Sequence, residues 1–304
     1  MKKYEFTDKV LHLNGKTLHR IVALRDFDRV RKGDKGGWIE KEENLSQDGE
    51  CWVYGNAQVF DNARVFNNAK VFDNAQVYGN AWAYDSAIVR DNAQIFNKAR
   101  VCDNAIVRDN AQIFDKARVC DNAIVCDNAQ IFDNARVFGD ARVFGDARAF
   151  DKARVFGDAR VFGDARAFDK ARVFKKAQVY DNAKVKDKAQ IFDNAEVYDN
   201  AEVYDNAQVF DNAKVYGNAQ VFDNAKVGRD AEIYNNKDYI VFKNWWSSLR
   251  HFTWTRSNDK WTVGCFYGTG EELIKKAYAD SEDKGKHYEE IVEYVNKCVL
   301  ENKN

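Results

Sequence analysis

Proline is absent from all 304 residues, and methionine occurs once. A chain without proline keeps every backbone N–H as a donor, which suits a body built from continuous β-ladders. Charge of one sign is missing as well: 47 basic side chains face 48 acidic ones, for a formal net charge of −1. No global field therefore recruits nucleic acid or a membrane surface. No apolar run approaches the roughly 18 residues that would cross a bilayer. The N-terminus Met-Lys-Lys-Tyr-Glu-Phe turns polar at once, unlike a signal peptide, so the expected compartment is the cytoplasm. Six cysteines form no Cys-x-x-Cys pair and no Cys/His cluster, which argues against zinc and against a disulfide framework. Cys102 and Cys120 are expected to remain a reduced stacked pair in that compartment.

What the sequence does have is a repeat. Thirty consecutive hexapeptides run from Gly55 to Tyr234, with alanine at the third position of each, from Ala57 to Ala231. The fifth position is Val or Ile except at Ala83, Ala149 and Ala167. This period fits a β-solenoid, in which each coil buries its inner face by stacking on its neighbours. A second period gives the coil size: Arg90, Arg108 and Cys126 fall three hexads apart, as do Ile95, Ile113 and Ile131, and 139–156 recurs identically as 157–174. Three hexads per coil, or about 18 residues, predict a three-sided prism of ten coils, on the order of 48 Å long at about 4.8 Å per coil.

Side chains alternate along a strand, so Ala63 and Val65 share the inner face while the Arg, Lys, Gln or Glu at position four points to solvent. Positions one and two, mostly Asp-Asn, Gly-Asn, Gly-Asp or Asp-Lys, are turn formers and belong at the corners. Position six is Phe or Tyr in 23 of the 30 hexads. Three readings stay open for it: stacked corner ladders, an apolar docking surface, or rings folded inward in a wider tube.

The flanks differ from the rod. Residues 1–54 read as a capping segment with a hairpin, Val10–Leu13 and Lys16–Leu24 around Asn14-Gly15. The glycines of Lys32-Gly33-Asp34-Lys35-Gly36-Gly37 have no phosphate-loop spacing, and a cap over exposed strand edges explains them better. Residues 235–304 read as a small α+β module. Its strands are expected at Tyr239–Trp246, His251–Arg256 and Lys260–Tyr267. A capping box at Thr269-Gly270-Glu271-Glu272 opens helix 270–280, and a second helix follows at about 285–301. On that helix His287, Ile291, Tyr294, Val295 and Cys298 are expected to share one face.

The opening Gly33-Asp34-Lys35-Gly36-Gly37-Trp38 with Asn44-Leu45-Ser46-Gln47, followed by Asn-Ala hexads, resembles hexapeptide-repeat proteins common in phages and prophages. Thr262–Thr269 is similar to a small C-terminal module on some of them. The resemblance implies a phage setting and a non-catalytic, host-directed role, such as blocking a defence system. The Ala-spacer-Val spacing is also similar to left-handed β-helices of hexapeptide acyltransferases, and the left hand rests on that likeness. The acyltransferase reading is the alternative. It is disfavoured here because no histidine lies in the thirty hexads and no extruded loop interrupts them; no catalytic residue, metal or cofactor is assigned.

Recognition is placed on residues 235–304. Trp245, Trp246, Arg250, Trp254, Arg256, Trp261 and Tyr267 have the composition of a binding hot spot for a host or phage protein, or for a second copy of the chain. A second candidate is a belt of position-four arginines, Arg136, Arg142, Arg148, Arg154, Arg160, Arg166 and Arg172. Corner aspartates such as Asp140, Asp146, Asp158 and Asp164 are expected to neutralise the belt by local pairing, so nucleic acid is disfavoured as a partner.

Overall fold

The computed structural model describes residues 2–244 and 248–301. Its body is a parallel β-solenoid whose two-residue strands pair at a strict offset of three hexads, so that Ile95 lies between Val77 and Ile113 and Ile113 beneath Ile131. Three sheets line the three sides. The position-four residues give each side its character. One carries Gln58, Gln76, Gln94, Gln112 and Gln130 and is termed the glutamine face. The next carries Arg100, Arg118, Arg136, Arg154 and Arg172, the arginine face. The third carries Ile88, Ile106 and Ile124, the isoleucine face.

The core is narrow and apolar. The position-three alanines and the position-five Val, Ile or Ala residues from Ala57 to Ile233 are all fully buried. Small side chains at position three let the three walls approach, and branched ones at position five fill the remaining space. Backbone N–H groups of one coil donate to carbonyls of the next, as in Arg100 N to Ala117 O at 3.0 Å.

The corners explain positions one and two. Position-one residues sit in the left-handed region, for example Asp61 at φ 59°, Asp127 at φ 58° and Gly139 at φ 71°. Asn and Asp visit that region most cheaply among residues with a side chain. Many of these aspartates also work along the axis: Asp61 Oδ2 accepts from Gly79 N at 3.0 Å, and Asp121 Oδ2 from Gly139 N at 2.9 Å. Position-two asparagines form amide ladders, such as Asn74 to Asn92 to Asn110 to Asn128. The position-six rings stack in three corner columns, with Phe96, Phe114, Phe132, Phe150 and Phe168 at centroid spacings of 4.8–4.9 Å. Of the three readings left open, the stacked ladder is the one observed.

The rod is one coil longer than the repeat count implies. Trp38-Ile39 pairs in parallel with Gln58-Val59, Leu45 bridges Val65, and Trp52-Val53 pairs with Lys70-Val71. Residues before Gly55 therefore form an eleventh coil without the alanine signature, Cys51 standing where alanine would be. The hairpin Tyr4–Leu13 and Lys16–Ala23 turns at Asn14 and Gly15, both at positive φ, and extends the glutamine-face sheet at its edge. A Cβ on Gly36 would lie 2.5 Å from Ile21, and one on Gly37 2.5 Å from the Ala57 carbonyl. Close packing of cap on rod is what those glycines serve.

Three local expectations are corrected. Cys102 and Cys120 are joined as a disulfide, because coil stacking sets their Cα atoms 4.7 Å apart, within disulfide reach. The segment expected as one strand over Lys260–Tyr267 is a hairpin, Lys260–Val263 with Phe266–Gly268, turning at Gly264 (φ 63°) and Cys265. Together with Tyr239–Lys243 and His251–Thr255 it makes a four-stranded antiparallel sheet. Helices α1 (Gly270–Asp280, with Thr269 and Glu272 closing the capping box) and α2 (Glu282–Glu301) pack on it. The buried stripe of α2 is Tyr288, Ile291, Val292 and Val295; Tyr294 points away and is exposed. No helix among the described residues is long and apolar enough to cross a membrane.

Val143 is fully buried while Arg142 beside it is exposed. Val143→Asp places an unpaired charge in the tube and is expected to cost about 3 kcal/mol or more, whereas Arg142→Ala stays within about 0.5 kcal/mol. Chemical denaturation of both variants checks the ranking, and the reverse order would exchange the inner and outer faces. For the disulfide, thiol titration of the unreduced, denatured protein should count four free cysteines, and six after reduction.

Candidate active site

The C-terminal sheet is seated on the last coils by hydrogen bonds from otherwise unpaired rod N–H groups. Lys226 N donates to Thr253 Oγ1 at 2.9 Å, and Glu232 N to Ser257 Oγ at 2.7 Å. The Tyr239 hydroxyl donates to the Gln220 carbonyl at 2.8 Å, and its ring packs edge-on against Phe222. Terminal strands of a solenoid leave one edge of each sheet open, and these contacts close it.

Seating the sheet brings His251, the first residue of its second strand, beside the arginine face. His251, Arg250 and Gly264 from the module line a cleft with Lys188, Gln190, Gln208 and Lys226 from the rod. The imidazole is half-buried. Burial holds its pKa below the ordinary 6.5; the Lys243 ammonium pushes the same way, the Asp223 carboxylate opposes, and Lys226 adds a smaller depression. A neutral imidazole at neutral pH can take a proton from an approaching nucleophile. The cations around it, Lys188, Lys226 and Arg250, can hold an anionic group in the same cleft.

The other three histidines are placed differently. His12 meets the Thr17 hydroxyl at 3.2 Å on the exposed hairpin, and His19 stacks on Phe6 at 4.8 Å. His287 lies 3.8 Å from Asp283 one turn away on α2. Histidine scarcity in the repeats is thus a fact about the sequence, while the fold supplies the rod with an imidazole from outside it. The legible signal was the strand pattern of His251–Thr255; nothing in it specified docking on the Lys226 coil.

The aromatic surface expected on the module separates into parts. Trp254 and Trp261 are core residues, 3% and 1% exposed, packed with Phe252, Val263 and the α2 stripe. The Trp254 indole donates to Asp259 at 2.9 Å. A small sheet covered by two helices needs large side chains to fill its interior, so these rings are not available to a partner. Tyr267 accepts from Asn258 Nδ2 at 3.1 Å and carries the Arg229 guanidinium over its ring. Arg256 lines a separate cleft with Tyr239, Trp254 and Cys298. Trp245 and Trp246 lie outside the described residues. Of the five described, Arg250 is the one that lines the His251 cleft.

The arginine belt also regroups. Arg136, Arg154 and Arg172 stand on the arginine face, Arg142 and Arg160 on the isoleucine face, and Arg148 and Arg166 on the glutamine face. None of the seven forms an ion pair among the described residues; the arginines that do are Arg31, Arg90, Arg108 and Arg229. The expected pairing with corner aspartates is not formed; Asp140 and Asp146 instead accept from Asn122 and Asn128 of the preceding coil, at 3.0 and 2.9 Å.

Comparison with known proteins places the repeats. Residues 57–71 and 129–145 match the YdcK β-solenoid repeat. A curated relative, the uncharacterized acetyltransferase YdcK of Escherichia coli (strain K12), is 49% identical over 37 residues, 12% of this chain. The match spans 11% of that protein's length. This similarity corrects the expectation of a non-catalytic, phage-type protein directed at host defence, and it favours the acyltransferase alternative. The match to the repeat concerns the solenoid alone.

The two hydroxyl acceptors that seat the module have a measurable role. The double variant Thr253→Val with Ser257→Ala leaves two rod N–H groups without partners, costing about 1–3 kcal/mol each where water cannot replace them. Amide exchange at 239–263 is expected to accelerate while exchange in coils 91–180 is unchanged. Unaltered exchange at the sheet would show that these bonds do not hold it.

Proposed function

We propose that the protein is an acyltransferase, with His251 as the base that deprotonates an amine or hydroxyl acceptor as it attacks an acyl thioester. The observation that carries the reading is the place of His251, half-buried in a cleft between rod and module and lined by Lys188, Lys226 and Arg250, where burial holds its pKa down. The similarity to an Escherichia coli protein named as an acetyltransferase supports it. Attack on the thioester carbonyl forms the new acyl bond and breaks the C–S bond, and the departing thiolate takes up the proton that His251 removed from the acceptor. Lys188, Lys226 and Arg250 suit the phosphates of a nucleotide-bearing donor such as acetyl-CoA.

The test is release of CoA from acetyl-CoA with a panel of amine and sugar acceptors. His251→Gln is expected to lower kcat/KM by about 10²–10⁴-fold, the usual contribution of a positioned general base. His12→Gln, on the distant hairpin, should leave it unchanged. Because burial and neighbouring ammonium groups lower the His251 pKa, kcat/KM should rise with pH through an inflection below 6.5 and be flat above it. Full activity of His251→Gln, or no acetyl-CoA binding by calorimetry, would sink the proposal.

A further inference from the structure

The arginine face carries a straight, unpaired column of positive charge, and the acyltransferase reading makes no use of most of it. Arg100, Arg118, Arg136, Arg154 and Arg172 are register partners in five successive coils, one guanidinium every strand spacing of about 4.8 Å. Beside them, at position two of the hexads on this side, the exposed Lys98, Lys116, Lys152, Lys170 and Lys188 form a parallel row along the corner, interrupted at Asn134. None of these ten groups has a carboxylate partner among the described residues. Like charges directly opposite one another on adjacent strands destabilise a sheet. The corner aspartates Asp151, Asp169 and Asp187 stand beside the lysine row, Asp169 and Asp187 accepting from the backbone N–H one coil on, and none of them forms an ion pair with the arginine column among the described residues. Arg172 adds a second sign: its Nε is buried without a hydrogen-bond partner, and its guanidinium lies beside the stacked rings of Phe156 and Phe174. Beyond Arg172 the column continues as the amides Gln190 and Gln208.

We infer that this face binds a linear acidic polysaccharide, a polymer with one carboxylate per sugar unit, laid along the rod axis. A straight cationic column matches a straight polyanion, whereas the phosphates of duplex DNA wind away from it. Single-stranded nucleic acid is usually held by free aromatic faces that stack its bases. Here Phe138, Phe156, Phe174, Phe192 and Phe210 are consumed in stacking on one another, and Trp82 lies under the Arg100 guanidinium. The amides that continue the column suit sugar hydroxyls, which take both donors and acceptors. This inference stands apart from acyl transfer and is tested without it.

The probe is polygalacturonate, with oligogalacturonates of increasing length, measured by calorimetry on the full chain at low salt. Binding is expected to tighten with oligomer length, to level off once the oligomer outruns the column, and to weaken as salt rises. The triple variant Arg118→Ala, Arg136→Ala, Arg154→Ala should weaken it by about tenfold or more, three exposed ion pairs being lost. The control Arg142→Ala with Arg160→Ala, on another face of the same coils, should leave affinity unchanged, and circular dichroism should show both variants folded. Absence of polygalacturonate binding at low salt would overturn the inference. So would equal losses in the two variants, or tighter binding of oligothymidylate or polyphosphate than of the glycan.

Discussion

Every coil must bond to the next at an offset of three hexads, because a two-residue strand has no other way to satisfy its backbone. With so few hydrogen bonds per strand, no strand is stable alone, and stability comes from the unbroken ladder. That constraint explains the missing proline, the left-handed corner residues and the uniform alanine. A side chain larger than alanine at position three would push one wall outward and lift its N–H groups out of register with the coil below. Asp and Asn at the corners serve the same end twice, accepting the turn conformation and bridging to the next turn.

The constraint also determined what was legible. Ile95, Ile113 and Ile131 revealed the coil length because the register forces like residues into columns. Val65 and Arg64 revealed inside and outside because a strand alternates. The eleventh coil was hidden, since Trp38, Leu45 and Trp52 take rod positions without the alanine that marks them; a cap can use large residues where no further coil must stack. The disulfide was misjudged from compartment alone, although the same register that predicted stacking also brought Cys102 and Cys120 within bonding reach.

Functional residues were less legible for a related reason. A repeat announces its geometry but distributes its chemistry evenly, so unique chemistry arises where the repeat stops. His251 belongs to a segment that begins after the last hexad, and only the seating of Thr253 on the Lys226 strand brings the imidazole and the rod cations to one cleft. Trp254 and Trp261 misled in the opposite direction, because hot-spot composition and small-domain core composition are the same composition. Burial separates them, and burial depends on the helices that cover the sheet.

A solenoid turns each position-four choice into a column, and columns differ in whether they satisfy themselves. On the glutamine face an amide donates and accepts at once, so Gln76 bonds Gln58 and Gln130 bonds Gln112 at 3.0 and 3.1 Å. The Ile88, Ile106 and Ile124 column packs apolar side chain on apolar side chain. Asparagine rows at the corners are self-complementary in the same way. Arginine has five donors and no acceptor, so stacked arginine cannot be its own partner. The Lys184 and Glu202 pair, one coil apart at 2.9 Å, shows that this rod does alternate sign where a column is to be neutral. From Arg100 to Arg172 it does not alternate, and the partner that such a column lacks within the chain is an acceptor with the rod's own spacing.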